Sequence, residues 1–221
     1  MQTHRPIVAA AFLWLAGSGL ATEAIAGNGV YLGLRGGASL LQDSDMTIEL
    51  PGGGQIPAKL QYEPGWLAAI AGGYAFDNGF AIEGEFAYRQ NGVDQEELFG
   101  MTIPVDGFER SYALMVNGYY RVDTGTIVTP YVGAGVGGAL LTIDADSAGG
   151  NFSDDSLEFA YQAMAGLMLE ITPQLDAGLE YRFFGTTEPS FSDTVMGGGF
   201  VTVNPDYMTH NLLLTLTYSF P

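Results

Sequence analysis

The sequence predicts an all-β fold, an antiparallel up-and-down barrel of eight membrane-crossing strands, on three observations. Apolar and polar residues alternate through eight long segments of the chain. The connections between those segments are alternately tight and long. A cleavable leader precedes them, so the chain is exported before it folds.

The leader is "MQTHRPIVAAAFLWLAGSGLATEAIAG": a basic start at Arg5, an apolar run from Ile7 to Leu15, and Ala24-Ile25-Ala26 before Gly27. That order is the pattern of a secretory signal with an A-x-A cleavage site. Residues 1–26 are therefore expected to be removed, and 27–221 to form the barrel. Nothing in the mature chain reaches the roughly 18 uninterrupted apolar residues of a membrane helix, so any crossing must be made by strands. The chain has no Cys and a formal charge of -18 at pH 7, which leaves no disulfide framework and sets it against nucleic acid.

The strands are expected at Gly29 to Leu41, Gly65 to Phe76, Phe80 to Gln90, Phe108 to Val122, Ile127 to Leu141, Leu157 to Ile171, Leu175 to Phe184 and Tyr207 to Phe220. Each has at least the roughly 9–11 residues a tilted strand needs to cross a bilayer. In the first, Val30, Leu32, Leu34 and Leu40 oppose Tyr31, Arg35 and Ser39. In the third, "FAIEGEFAYRQNG" sets Phe80, Ile82, Phe86 and Tyr88 against Glu83, Glu85 and Arg89. The fourth sets Tyr112, Leu114, Val116 and Tyr120 against Asn117 and Arg121, and the seventh Leu175, Leu179, Tyr181 and Phe183 against Asp176, Glu180 and Arg182. The last sets Leu212, Leu214, Leu216, Tyr218 and Phe220 against Asn211, Thr215, Thr217 and Ser219.

Asp77-Asn78-Gly79, Asp123-Thr124-Gly125 and Thr172-Pro173-Gln174 read as tight turns, while 42–64, 91–107, 142–156 and 185–206 read as long loops. A soluble sandwich has no reason to sort its connections by length. A membrane barrel does, with turns on the periplasmic side and loops outside. The apolar face then looks at lipid and the charges look inward, where an unpaired charge would cost several kcal/mol. Arg35, Arg89 and Arg182 are accordingly expected to pair with Glu83, Glu85 and Glu180. Small inward residues, among them Gly33, Gly73, Gly133, Gly135, Gly137, Gly166 and Gly178, leave room for them, because a barrel of eight strands is just wide enough for side chains to fill. A gated ion path is the alternative reading of that cluster.

The segments "GVYLGLRGGAS" (29–39), "AIEGEFAYR" (81–89), "ALMVNGYYRVDTG" (113–125), "TPYVGAGVGGA" (129–139), "FAYQAMAGL" (159–167), "LDAGLEYRFF" (175–184) and "TLTYSF" (215–220), in that order, resemble the eight-stranded outer-membrane barrels of Gram-negative bacteria, the opacity-type surface antigens and OmpA-like membrane domains. The resemblance implies a barrel in the outer membrane. It also implies that Tyr218 and Phe220, here followed by Pro221, form the terminal signal read by the barrel-assembly machinery. Some relatives append a periplasmic domain after the barrel; none is expected here, since the chain stops after its eighth predicted strand.

Other motifs carry less. "GAGVGG" (133–138) resembles a dinucleotide loop but lies within a strand with no helix after it. The mature chain's single His, His210, is placed by alternation on the lipid face at the outer rim, with Leu212 where some lipid-modifying barrels place a Ser, so no enzyme is expected and no cofactor. The loops crowd carboxylates outside: Asp144, Asp146, Asp154 and Asp155 offer weak divalent-cation contacts without the spacing of a Ca²⁺ loop. Two loops hold strand-like pieces, "MTIEL" and "QIPAKLQY" around "PGGG" and "FVTV" after "GGG", from which hairpins with flexible tips are expected. The expected partners are outer-membrane lipid and lipopolysaccharide, the assembly machinery, and a host or environmental ligand at the loops. The expected state is a monomer, acting as a structural surface protein; a narrow channel for small solutes is the alternative.

Overall fold

The computed structural model describes the backbone of residues 29–42, 44–49, 55–98, 101–147, 150–187, 191–195, 199–203 and 207–221, and the side chains of 29–42, 63–92, 107–143, 155–187 and 207–221. The leader predicted over 1–26 lies outside these residues, as do the tips of the outer hairpins.

Eight strands close the barrel: β1 (Gly29–Leu41), β4 (Gly65–Ala75), β5 (Phe80–Leu98), β6 (Met101–Arg121), β7 (Val128–Ser147), β8 (Gly150–Thr172), β9 (Leu175–Thr186) and β12 (Met208–Ser219). Each pairs antiparallel with the next, and the ring shuts where β12 meets β1, in register from Tyr31 opposite Ser219 to Leu41 opposite Thr209. Closure leaves no exposed sheet edge at the membrane, which is the condition for strands to lie in lipid.

Three turns join strands at one end, the periplasmic end in this architecture. Gly79 and Gly125 sit there at φ of 84° and 66°, a backbone region costly for a side chain. Asn78 Oδ1 accepts from the Phe80 amide at 3.2 Å and Asp123 Oδ1 from the Gly125 amide at 2.8 Å, which tightens both turns.

At the opposite end the barrel wall continues upward. β2 (Ser44–Glu49) and β3 (Gln55–Tyr62) form a hairpin that pairs with the outer part of β5. β10 (Phe191–Val195) and β11 (Gly199–Val203) form a second, joined to the first through Thr202 opposite Glu49. The strand-like pieces of the first and fourth loops thus build hairpins as expected. The segments 91–107 and 142–156 differ from the expectation of loops. There the β5–β6 ladder runs on to Leu98 opposite Met101, and the β7–β8 ladder to Ser147 opposite Gly150. The carboxylate-rich sequence of these segments reads as loop, yet the backbone pairing persists through them.

Side-chain parity follows the sequence. Val30, Leu32, Leu34, Ile82, Leu114, Val116, Leu214 and Leu216 are exposed on the outside. The lumen is packed in layers. Tyr31, Tyr119, Tyr131 and Met164 with Ala75 and Ala81 fill the periplasmic half, and Leu41, Met115, Leu141, Phe184 and Tyr207 fill the outer half. Charged side chains lie between.

Candidate functional site

The middle layer of the lumen is a charge network assembled from three strands. Alternation on β1, β5 and β9 turns Arg35, Glu83, Glu85, Glu180 and Arg182 inward, and all five are buried or nearly so. Arg35 donates through Nη2 to Glu83 Oε2 at 2.9 Å and through Nη1 to Glu85 Oε2 at 3.1 Å. Arg182 grips Glu85 with both Nη atoms, at 2.6 and 2.9 Å, and turns its Nε to Glu180 Oε1 at 2.9 Å. Paired, fork-on-carboxylate contacts of this kind are the strong form of a charged hydrogen bond, and Arg supplies the planar geometry for them.

Neutral donors complete the layer. Glu83 accepts from Tyr31 and Arg35 on one oxygen and from Asn117 and Tyr119 on the other, all at 2.9–3.0 Å. Tyr131 donates to Glu180 Oε2 at 2.9 Å, and Gln162 Nε2 links Asn117 Oδ1 at 2.7 Å to the edge of Glu85 at 3.4 Å. Sequence reasoning did not single out Tyr119, Tyr131 or Gln162. Their signal was parity, since each falls on the inward register of its strand beside a small residue.

The inward glycines make the layer fit. A Cβ at Gly73 would come within 2.6 Å of the Tyr31 ring, at Gly133 within 2.5 Å of Tyr119, and at Gly166 within 2.5 Å of Tyr131. At Gly135 it would run into Asn117 Oδ1. Each glycine is thus the space into which a polar side chain of the neighbouring strand folds.

Arg89 departs from the expected pairing. It is fully buried, yet none of its guanidinium nitrogens has a hydrogen-bond partner, and its charge lies 3.8 Å from the centre of the Phe184 ring. The reason is position: Arg89 sits four residues beyond Glu85 on β5, level with the apolar outer layer, while the carboxylates nearest to it are saturated by Arg35 and Arg182. The aromatic face replaces a carboxylate as its partner.

Below the network, toward the periplasm, a cavity of about 40 Å³ is lined by Tyr31, Arg35, Glu83, Arg121, Thr215 and Ser219 among others. Above it, the cation contacts expected of the third loop rest largely on side chains outside the described residues. Asp155 is described and accepts from Thr142 Oγ1 at 2.7 Å, and the backbone register sets Asp146 opposite Asp106.

On the outside, two aromatic belts mark the membrane. Tyr74–Phe76, Phe80–Tyr120 and Tyr218–Phe220 pack at 4.9–5.2 Å near the turns. Trp66–Tyr88–Tyr112 pack at 5.0–5.1 Å near the hairpins, where Tyr181, Phe183 and His210 continue the belt. His210 Nδ1 and the Tyr181 hydroxyl share a hydrogen bond of 2.7 Å on the outer surface. Tyr218 and Phe220, the residues of the expected assembly signal, lie edge to face in the periplasmic belt. Trp66 to Tyr74, Phe80 to Tyr88, Tyr112 to Tyr120 and His210 to Tyr218 all span eight residues. At a rise of about 3.3 Å per residue and the usual strand tilt, the belts stand roughly 20 Å apart along the barrel axis.

Known proteins share this form. An "Outer membrane protein" of Gluconacetobacter diazotrophicus is 27% identical over 197 residues, an overlap of 81% of this chain and 51% of that one, so the chain spans about half the length of this relative. Among solved structures, the outer membrane protein OprG from Pseudomonas aeruginosa matches with a TM-score of 0.57 at 17% identity, over 87% of this chain and 97% of OprG. The outer membrane protein AlkL, solved by solid-state NMR in DMPC bilayers, matches with a TM-score of 0.52 at 15% identity, over 93% and 98%. At such identities the likeness to both structures is one of fold. The family model of the outer membrane protein β-barrel domain covers residues 7–220, and with that match the chain belongs to the outer-membrane β-barrel family and has its place in the outer membrane of a Gram-negative bacterium.

Proposed function

We propose that this barrel is a structural surface protein: a plugged, lipid-embedded stave ring that carries acidic hairpins to the outside, where they meet host or environmental partners. The observation that supports it is the charge network. Arg35, Glu83, Glu85, Glu180 and Arg182 join strands from across the lumen at 2.6–3.1 Å and fill its middle. In planar bilayers the purified barrel is expected to carry little or no current. Steady single-channel steps that shift when Glu85 is neutralised would instead support a narrow channel for small solutes, a second reading favoured by the cavity beneath the network, which Arg35, Glu83 and Arg121 help to line.

The same reading makes the protein no enzyme, with His210 serving as a belt residue at the headgroups rather than a proton carrier. Incubation with labelled outer-membrane lipids is expected to yield no deacylated or transferred product. It also makes the protein a monomer, delivered through the assembly machinery by Tyr218 and Phe220. The outer carboxylates, Asp144, Asp146, Asp154 and Asp155 among them, engage millimolar Ca²⁺ or Mg²⁺ weakly and without selectivity. Calorimetry with and without Ca²⁺ tests this, and identical heats would leave those carboxylates merely solvated.

A further inference from the structure

Above the membrane the outer wall has an open seam between β8 and β10. β8 pairs with β7 as far as Gly150 opposite Ser147, but its ladder with β9 ends at Ala160 opposite Thr186, with one bond beyond it from the Thr187 amide to Phe159 O at 2.9 Å. Among the described residues, 150–158 of β8 therefore pair with no strand on that side. β10 pairs with β11 along one edge and, among the described residues, with nothing along the other, although it lies near β8. Continuation of the β8–β9 register would set Phe191 opposite Asp155 and Val195 opposite Asn151, and that ladder does not form.

Parity fixes which backbone groups the seam presents. Phe159 turns its carbonyl away from β7, toward Thr187. By the alternation of an antiparallel strand, Leu157, Asp155, Ser153 and Asn151 turn their N–H and C=O to the open side, while the even residues turn theirs to β7. Such an edge is a template for one more strand.

The sequence along the seam says which strand it accepts. Proteins commonly guard a free edge with Lys or Pro, and "GNFSDDSLE" (150–158) and "FSDTV" (191–195) have neither. They carry carboxylates: Asp154, Asp155 and Glu158 on β8 and Asp193 on β10, with Asp144 opposite Ser153 and Asp146 opposite Asn151 on β7. Like charges facing one another across a ladder are destabilising, so this edge refuses a second copy of the chain and favours a basic strand. We infer that the open edge of β8 beside β10 is the docking site for an extended, lysine- or arginine-rich segment of a partner protein. The segment adds to the outer wall through its main chain and is selected by its charge. The inference rests on the surface-protein reading and names the class of partner that reading leaves open.

The test uses the folded barrel in phosphatidylcholine nanodiscs and a fluorescein-labelled peptide of alternating Lys and Thr, with binding read by anisotropy. Two control peptides carry Glu in place of Lys, or the same lysines with alternate amides N-methylated, which keeps the charge and removes main-chain donors. The wild type is expected to bind the Lys peptide and neither control. S153P deletes a donor on the open side and spares the β7 ladder, so it should weaken binding about tenfold, the effect of one lost main-chain bond. D154N/D155N should weaken it as well and flatten its salt dependence. Folding of each variant is checked by the heat-shifted gel band. Equal binding of the N-methylated peptide, wild-type binding by S153P, or no binding of the Lys peptide overturns the inference. None of these results alters the conductance test, so the surface-protein reading stands or falls separately.

Discussion

Arg182 and Arg89 face the same lumen, and loss of their charges should have opposite consequences. Arg182→Leu strips Glu85 and Glu180 of their main partner and leaves two buried carboxylates facing each other, a defect of about 3–5 kcal/mol. The temperature at which the detergent-folded barrel loses its heat-shifted gel band should drop sharply. Arg89→Met removes a guanidinium that donates no hydrogen bond and replaces it with a chain that packs on Phe184. The same assay should show an unchanged or raised temperature, since an apolar side chain avoids the desolvation cost of a buried charge. The glycines offer a second contrast. Gly135→Ala drives a methyl into Asn117 and should destabilise the barrel by about 1–3 kcal/mol. Gly84→Ala, on the lipid face of β5 with nothing within 4 Å of the new methyl, should be tolerated in the same assay.

Among the elements, the ladders above the membrane should be dispensable to the barrel below. Ile143 and Asp154 stand opposite each other on β7 and β8, so replacing 144–153 by a two-residue Asn-Gly turn closes the hairpin there without a change of register. The shortened protein should keep its heat-shifted band and its unfolding temperature. These ladders were also the least legible part of the sequence. Within the membrane, parity separates Leu32 and Leu34 from Tyr31 and Arg35 because lipid and a packed lumen select opposite residues. Along "VDQEEL" no alternation is left to read, and in "LTIDADS" the alternation of Leu141, Ile143 and Ala145 with Thr142, Asp144 and Asp146 carries the carboxylates that equally suit a loop. The charge layer was legible as a set of residues on one parity, but its pairing was not. Arg89 shares that parity with Glu85, yet stands at a different height, and height depends on the stagger of neighbouring strands, which no single strand's pattern encodes.

At the scale of the whole molecule, two belts eight residues apart commit the barrel to a bilayer of matching thickness. Folding yield and unfolding temperature should be highest in bilayers of short acyl chains, about 12–14 carbons, and fall as the chains lengthen to 18, because mismatch costs fractions of a kcal/mol per Å. Tryptophan fluorescence of Trp66, exposed on the outer belt, reports the change directly. The seam between β1 and β12 has a consequence of another kind. The Phe220 amide donates to Val30 O at 2.9 Å, so the first and last staves are neighbours like any others, and a ring of such staves has no intrinsic beginning. A short linker joining the two, with new ends opened between Leu98 and Met101, gives a circular permutant with every ladder intact. It should fold spontaneously in detergent; if Tyr218 and Phe220 are the terminal assembly signal proposed above, it should be lost in the cell, because both are now internal. The order in which the chain is written would then matter to its transport, while its architecture is indifferent to where the writing starts.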